Sequence, residues 1–105
     1  MRVAVRKENN GHLIVDVVDV ETWEDFDGVS ESIIEKFTGV VIRKHDGPEG
    51  SRRWTVSFDR VELLFDFVDM VGMSIRVPES GSGSEALAMR ISEFLKGLSY
   101  SCKTL

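Results

Sequence analysis

Trp54-Thr55-Val56-Ser57-Phe58-Asp59-Arg60-Val61-Glu62-Leu63-Leu64-Phe65-Asp66-Phe67 is the stretch that decides the fold. Trp54, Val56 and Phe58 alternate with polar residues, Asp59-Arg60 interrupts, and Val61, Leu63, Phe65 and Phe67 take up the alternation again. Successive side chains of a strand point to opposite faces, so each run buries one face and wets the other. A two-residue turn at Asp59-Arg60 sets Phe58 against Val61, Val56 against Leu63 and Trp54 against Phe65. Every apolar pair then falls on one face, which fixes the register.

The alternation extends both ways. Upstream, Val40 and Ile42 read as a strand with both side chains on one face, joined to Trp54 through His45-Asp46-Gly47-Pro48-Glu49-Gly50-Ser51, a polar loop. Downstream, a turn over residues 69–72 leads to Met73, Ile75 and Val77. The result is a four-strand antiparallel meander whose wet face carries Arg53, Thr55, Ser57, Asp66, Ser74 and Arg76.

Ahead of the meander, residues 2–18 read as a hairpin around Glu8-Asn9-Asn10-Gly11. A two-residue Asn10-Gly11 loop would oppose Val5 and Asp16. A three-residue loop with Gly11 in the left-handed region instead pairs Val3 with Val17 and Val5 with Val15, and is preferred. Over residues 22–37, Trp23, Phe26, Ile33, Ile34 and Phe37 fall on one helical stripe. Thr22 caps this helix with Asp25 at the capping-box position, and Thr38-Gly39 stops it. Gly28, which costs about 1 kcal/mol relative to Ala in mid-helix, leaves open a later start near Gly28 itself.

A last helix is expected over residues 84–98, with Leu87, Ile91, Phe94, Leu95 and Leu98 on its stripe and Ser82 and Glu85 spaced as a capping box. A Gly/Ser-rich loop, residues 79–84, precedes it, and residues 99–105 read as a flexible tail. The expected architecture is α+β: a mainly antiparallel sheet, built of an N-terminal β-hairpin and a four-strand meander, with two helices packed on one face, in the order β-β-α-β-β-β-β-α.

The chain of 105 residues is the size of one domain, and 42% apolar with 30% charged residues is globular composition. The single cysteine, Cys102, closes no internal disulfide and builds no structural zinc site. No apolar run approaches the roughly 20 residues of a membrane span, and Met1-Arg2-Val3-Ala4-Val5-Arg6-Lys7 has no signal-peptide core. A cytoplasmic single domain without a membrane segment is expected.

Charge is the most informative functional feature. The formal net charge is -5, which speaks against a nucleic-acid binder that neutralises phosphates. From Glu8 to Glu35 stand nine acids (Glu8, Asp16, Asp19, Glu21, Glu24, Asp25, Asp27, Glu31 and Glu35) and no Lys or Arg. On a helix Glu21 with Asp25, Asp27 with Glu31 and Glu31 with Glu35 repel, each pair by roughly 0.2–0.5 kcal/mol. Retained self-repulsion marks Glu21, Glu24, Asp25, Asp27, Glu31 and Glu35 as the candidate face for a basic protein partner. A purely solvating role is the competing explanation.

A smaller basic patch, Arg43, Lys44, Arg52 and Arg53, gathers around the first meander hairpin, with Trp54 expected in the core rather than as a stacking platform. His12 and His45 sit in or beside separate turns and lack metal-ligand spacing, so neither a metal nor another cofactor is expected. Gly81-Ser82-Gly83-Ser84 lacks the Lys of a phosphate-binding loop. Asp59, Glu62, Asp66 and Asp69 are carboxylates near meander turns, and Met70 with Val71 is apolar surface at the last one.

The expected function is therefore a non-enzymatic protein-binding module, similar in size and charge, though in no motif, to small acidic inhibitors such as bacterial immunity proteins. An enzyme or small-molecule binder with its site between sheet and helices is the first alternative. Self-association, as a homodimer through an open edge strand, is the second.

Overall fold

The computed structural model describes residues 1–9, 11–47, 50–78 and 82–98, the side chain of Ser82 excepted. Asn10, Pro48, Glu49, residues 79–81 of the Gly/Ser loop, the Ser82 cap and the tail with Cys102 lie outside the described residues.

The elements are β1 (Val3–Lys7), β2 (Leu13–Val17), α1 (Trp23–Phe37), β3 (Val40–Asp46), β4 (Arg52–Phe58), β5 (Val61–Val68), β6 (Gly72–Arg76) and α2 (Ser82–Gly97). The strands form one antiparallel sheet in the order β1-β2-β6-β5-β4-β3. The meander is thus intact, and the N-terminal hairpin docks its second strand on β6. Both helices cover the same face of this sheet, so the architecture is the α+β one expected.

The registers follow the hydrophobic pattern. Phe58 opposes Val61, Val56 opposes Leu63 and Trp54 opposes Phe65. Asp59 and Arg60 both take positive φ, 51° and 76°, the mirror-image turn whose twist matches a two-residue hairpin. In the first hairpin Val3 opposes Val17 and Val5 opposes Val15, with Gly11 at φ 86°. Glu8 N–H donates to the His12 carbonyl at 2.9 Å and closes the three-residue loop.

The core lies between sheet and helices. Val15, Val56, Leu63, Phe65 and Ile75 from the sheet meet Phe26, Val29 and Ile33 of α1 and Ala88, Ile91 and Leu95 of α2, all fully buried. Phe26 sets its edge on Trp54 at 5.2 Å and lies 5.8 Å from Phe67, which fixes α1 over β4 and β5. Thr22 Oγ1 accepts from Asp25 N–H at 3.0 Å, and the helix runs straight through Gly28, so the later start at that glycine does not occur. At the other end it is Thr38 that turns left-handed (φ 58°). Gly39 serves close approach instead, because a Cβ there would stand 2.5 Å from the Phe58 ring.

Two expectations about the core are corrected. Trp23 is 42% exposed rather than buried on the helix stripe. As the first helical residue it overhangs the rim of the sheet, where its indole N–H finds the Gly50 carbonyl at 2.9 Å. Val40 and Ile42 are also exposed, at 65% and 50%. β3 is an edge strand with an irregularity between Val41 and Arg43 that shifts the alternation, so Val41, opposite Val56, is the residue packed on the core.

Candidate functional site

The residues of the acidic run divide sharply. Asp25 is buried, at 8% exposure, and works inside the cap: its backbone N–H meets Thr22, while Oδ2 accepts from Glu21 N–H at 3.4 Å. It is therefore removed from the candidate face. Asp27 is held by Arg52 at 2.6 Å and is neutralised within the molecule. Asp16, Asp19 and Glu8 are likewise paired, with Arg6, Arg2 and Arg76.

Glu21, Glu24, Glu31 and Glu35 remain. All are exposed, and no Lys or Arg nitrogen among the described residues lies within 4.0 Å of their carboxylates. Glu24, Glu31 and Glu35 are seven and four residues apart, which puts them within about 40° of each other around the helix. Buried Phe26, Val29 and Ile33 occupy the other side of α1. The three carboxylates therefore form a ridge directed away from the sheet, with Glu21 at its N-terminal end.

The basic patch does not form one surface. Arg52 opposes Asp46 and Lys44 opposes Trp54 on the helix-bearing face, whereas Arg43 opposes Thr55 and His45 opposes Arg53 on the other. Arg52 lies 4.4 Å from the Trp23 ring while bridging Asp27 and Asp46 (3.2 Å), and is only 18% exposed. Lys44 Nζ rests 4.0 Å from the Trp54 ring, and that indole is core as expected. Arg53 grips Asp66 through two hydrogen bonds of 2.6 and 3.0 Å, which raise the guanidinium above its ordinary pKa. The patch is mostly an internal clamp between the β3–β4 hairpin and its neighbours. Sequence spacing could not reveal this, since it does not say which arginines find carboxylates across the sheet.

On the helix-free face runs a groove of about 730 Å³. Its floor is a cross-strand row in which Asp16 and Asp66 flank Ser74, with Arg6, Arg53 and Arg76 tied to the two carboxylates. Ser74 Oγ donates to Asp16 at 3.0 Å. Of the wet-face residues read from the sequence, Arg53, Asp66, Ser74 and Arg76 line this groove. A second depression of about 440 Å³ lies between the helices and the β4–β5 turn, with Lys36, Asp59 and Arg90 as its charged lining. Of the turn carboxylates, Asp66 is consumed by Arg53 and Arg76. No group of three His, Cys, Asp or Glu residues with metal-binding geometry occurs among the described residues.

The β3 edge bears Arg43 and Lys44 as well as its irregularity, two devices that blunt strand addition. No described helix is long and apolar enough to cross a membrane. No protein-family model, curated protein or solved structure matches the chain.

Proposed function

We propose that this protein is a non-enzymatic binding module whose α1 ridge, Glu24, Glu31 and Glu35 with Glu21 at its end, receives a basic protein partner. One observation carries the reading: arginines neutralise Asp16, Asp19, Asp27, Asp46 and Asp66, yet Glu24, Glu31 and Glu35 on α1 and Glu21 just before it have no Lys or Arg partner among the described residues. The repulsion between Glu31 and Glu35, one turn apart, is unfavourable for the free helix and is relieved when cationic side chains dock. The fold holds the ridge rigidly, since Phe26, Val29 and Ile33 anchor α1 from beneath.

Binding to a fluorescent oligolysine at low and high salt tests this. Glu24→Lys/Glu31→Lys/Glu35→Lys is compared with the same charge change made at Glu62, Glu85 and Glu93. Salt-sensitive binding lost only with the α1 variant supports the ridge. Equal loss with both would reduce the effect to net charge.

A second reading rests on the 730 Å³ groove, whose four arginines (Arg6, Arg52, Arg53 and Arg76) and two serines (Ser51 and Ser74) suit a small anionic ligand. Carboxylates already occupy those arginines, which ranks it behind the first. A thermal-shift screen of small carboxylates and phosphates would show stabilisation if it holds.

A further inference from the structure

The β5–β6 turn carries the most exposed apolar side chains of the described structure: Met70 at 97% and Val71 at 80%. Val71 N–H donates to the Val68 carbonyl at 2.9 Å and closes the turn, with Met70 at φ 69°. That left-handed position is one glycine or asparagine ordinarily fills, and an unbranched apolar residue there carries backbone strain. The turn thus combines exposed apolar surface with a conformation its residue disfavours. Both are costs to the free protein, and a contact made by Met70 accounts for both.

The surroundings define that contact. Val18, itself half-exposed, shares a depression of about 360 Å³ with Met70, Val71 and Glu21. Gly50 abuts Asp69, a Cβ on it falling 3.1 Å from that of the aspartate, and the Gly50 carbonyl holds the Trp23 indole. The exposed indole, the turn and the N-terminal end of α1 therefore occupy one end of the molecule. Glu21 and Asp69 border this apolar ground, both exposed and without an ion-pair partner among the described residues.

We propose that the β5–β6 turn, with Met70 and Val71 at its tip, is the apolar anchor of the acidic surface, and that its partner is a protein presenting an apolar strip bordered by Lys and Arg. This rests on the reading of the α1 ridge as a binding face and adds where its affinity resides. Interfaces concentrate binding energy in a desolvated apolar centre, with charge at the rim. Methionine suits such a centre because its unbranched side chain adapts to the opposing surface. The acidic border selects a cationic partner over a second copy of this chain, which would set carboxylate against carboxylate.

The test is methyl and amide NMR with two probes of equal charge, an amphipathic helix made only of Leu and Lys, and oligolysine. The amphipathic helix shifts the methyls of Met70, Val71 and Val18 together with the Glu24 and Glu31 amides. Met70→Gly weakens its binding about tenfold or more, while leaving oligolysine binding unchanged. The same substitution keeps or raises the melting temperature, since glycine adopts the positive φ freely. Val71→Ser, which does not touch the strained position, weakens the amphipathic probe in the same sense. If that probe shifts only the α1 amides and binds Met70→Gly equally well, the anchor is wrong and the ridge stands. If neither probe binds, both readings fall. A dimer seen by sedimentation and abolished by Met70→Gly would overturn the proposal in favour of self-association.

Discussion

Arg52 Nη1 lies 2.6 Å from Asp27 Oδ1, and the same guanidinium covers the Trp23 ring at 4.4 Å and reaches Asp46 at 3.2 Å. One side chain of β4 therefore ties the first two turns of α1 to the β3–β4 hairpin. Arg52→Ala removes two ion pairs and a cation–π contact from a largely covered position, and is expected to cost about 1–2 kcal/mol in urea denaturation. Asp27→Asn costs less, because Arg52 keeps Asp46 and the indole. Equal effects would show that the Asp27 pair alone matters.

The Trp54 indole N–H is buried and has no acceptor among the described residues. Trp54→Phe deletes an unsatisfied donor as well as packing area, and the two effects oppose. Its stability change is expected to stay below about 1 kcal/mol, against about 3–5 for Phe65→Ala at a fully buried site. A loss of similar size in both variants would mean that the indole N–H is satisfied in solution.

Asp19 accepts from the Arg2 backbone N–H at 2.9 Å and from Arg2 Nε at 3.0 Å, and these bonds, the backbone one first, hold its carboxyl below the usual 3.8. A carboxylate with a depressed folded pKa stabilises the fold above its unfolded value, and the contribution is lost as pH falls through the folded value. Asp19→Asn is thus less stable than the parent at neutral pH, and the gap between their urea midpoints closes in acid below 3.8. A gap independent of pH would assign the effect to packing.

Arg60 takes φ 76° in the second central position of the β4–β5 turn, a left-handed geometry that disfavours a side chain. Arg60→Gly is expected to raise stability by about 0.5–1 kcal/mol, the relief exceeding the added freedom of the unfolded chain. A thermal melt showing a lower midpoint would contradict this.

Much of the fold was legible because strand alternation and turn chemistry agree with each other. Val56 and Leu63 could pair only if Asp59-Arg60 turned the chain in two residues, and Val5 could meet Val15 only with Gly11 left-handed. Legibility stopped where tertiary placement overrides local pattern. Val40 and Ile42 look like core residues, yet an edge strand with a shifted register turns them outward. Trp23 has a core residue's spacing and a rim residue's position. Asp25 and Asp27 looked equivalent to Glu24 and Glu31, because nothing local says that one completes a cap and another meets an arginine twenty-five residues away. The Met70 strain was invisible for the same reason, since φ is fixed by how β5 and β6 pair, whereas the apolar character of the turn was plain.

Binding of a basic protein at the α1 ridge is read by one paired capture. The parent chain and Glu24→Lys/Glu31→Lys/Glu35→Lys are immobilised side by side, exposed to lysate of the source cell at low and high salt, and the bound proteins identified by mass spectrometry. A basic protein is expected to be retained by the parent at low salt, released at high salt and absent from the variant, whose cooperative thermal melt shows that it is folded. The same proteins on both columns, or none on either, would contradict it and leave the acidic ridge a device for solubility.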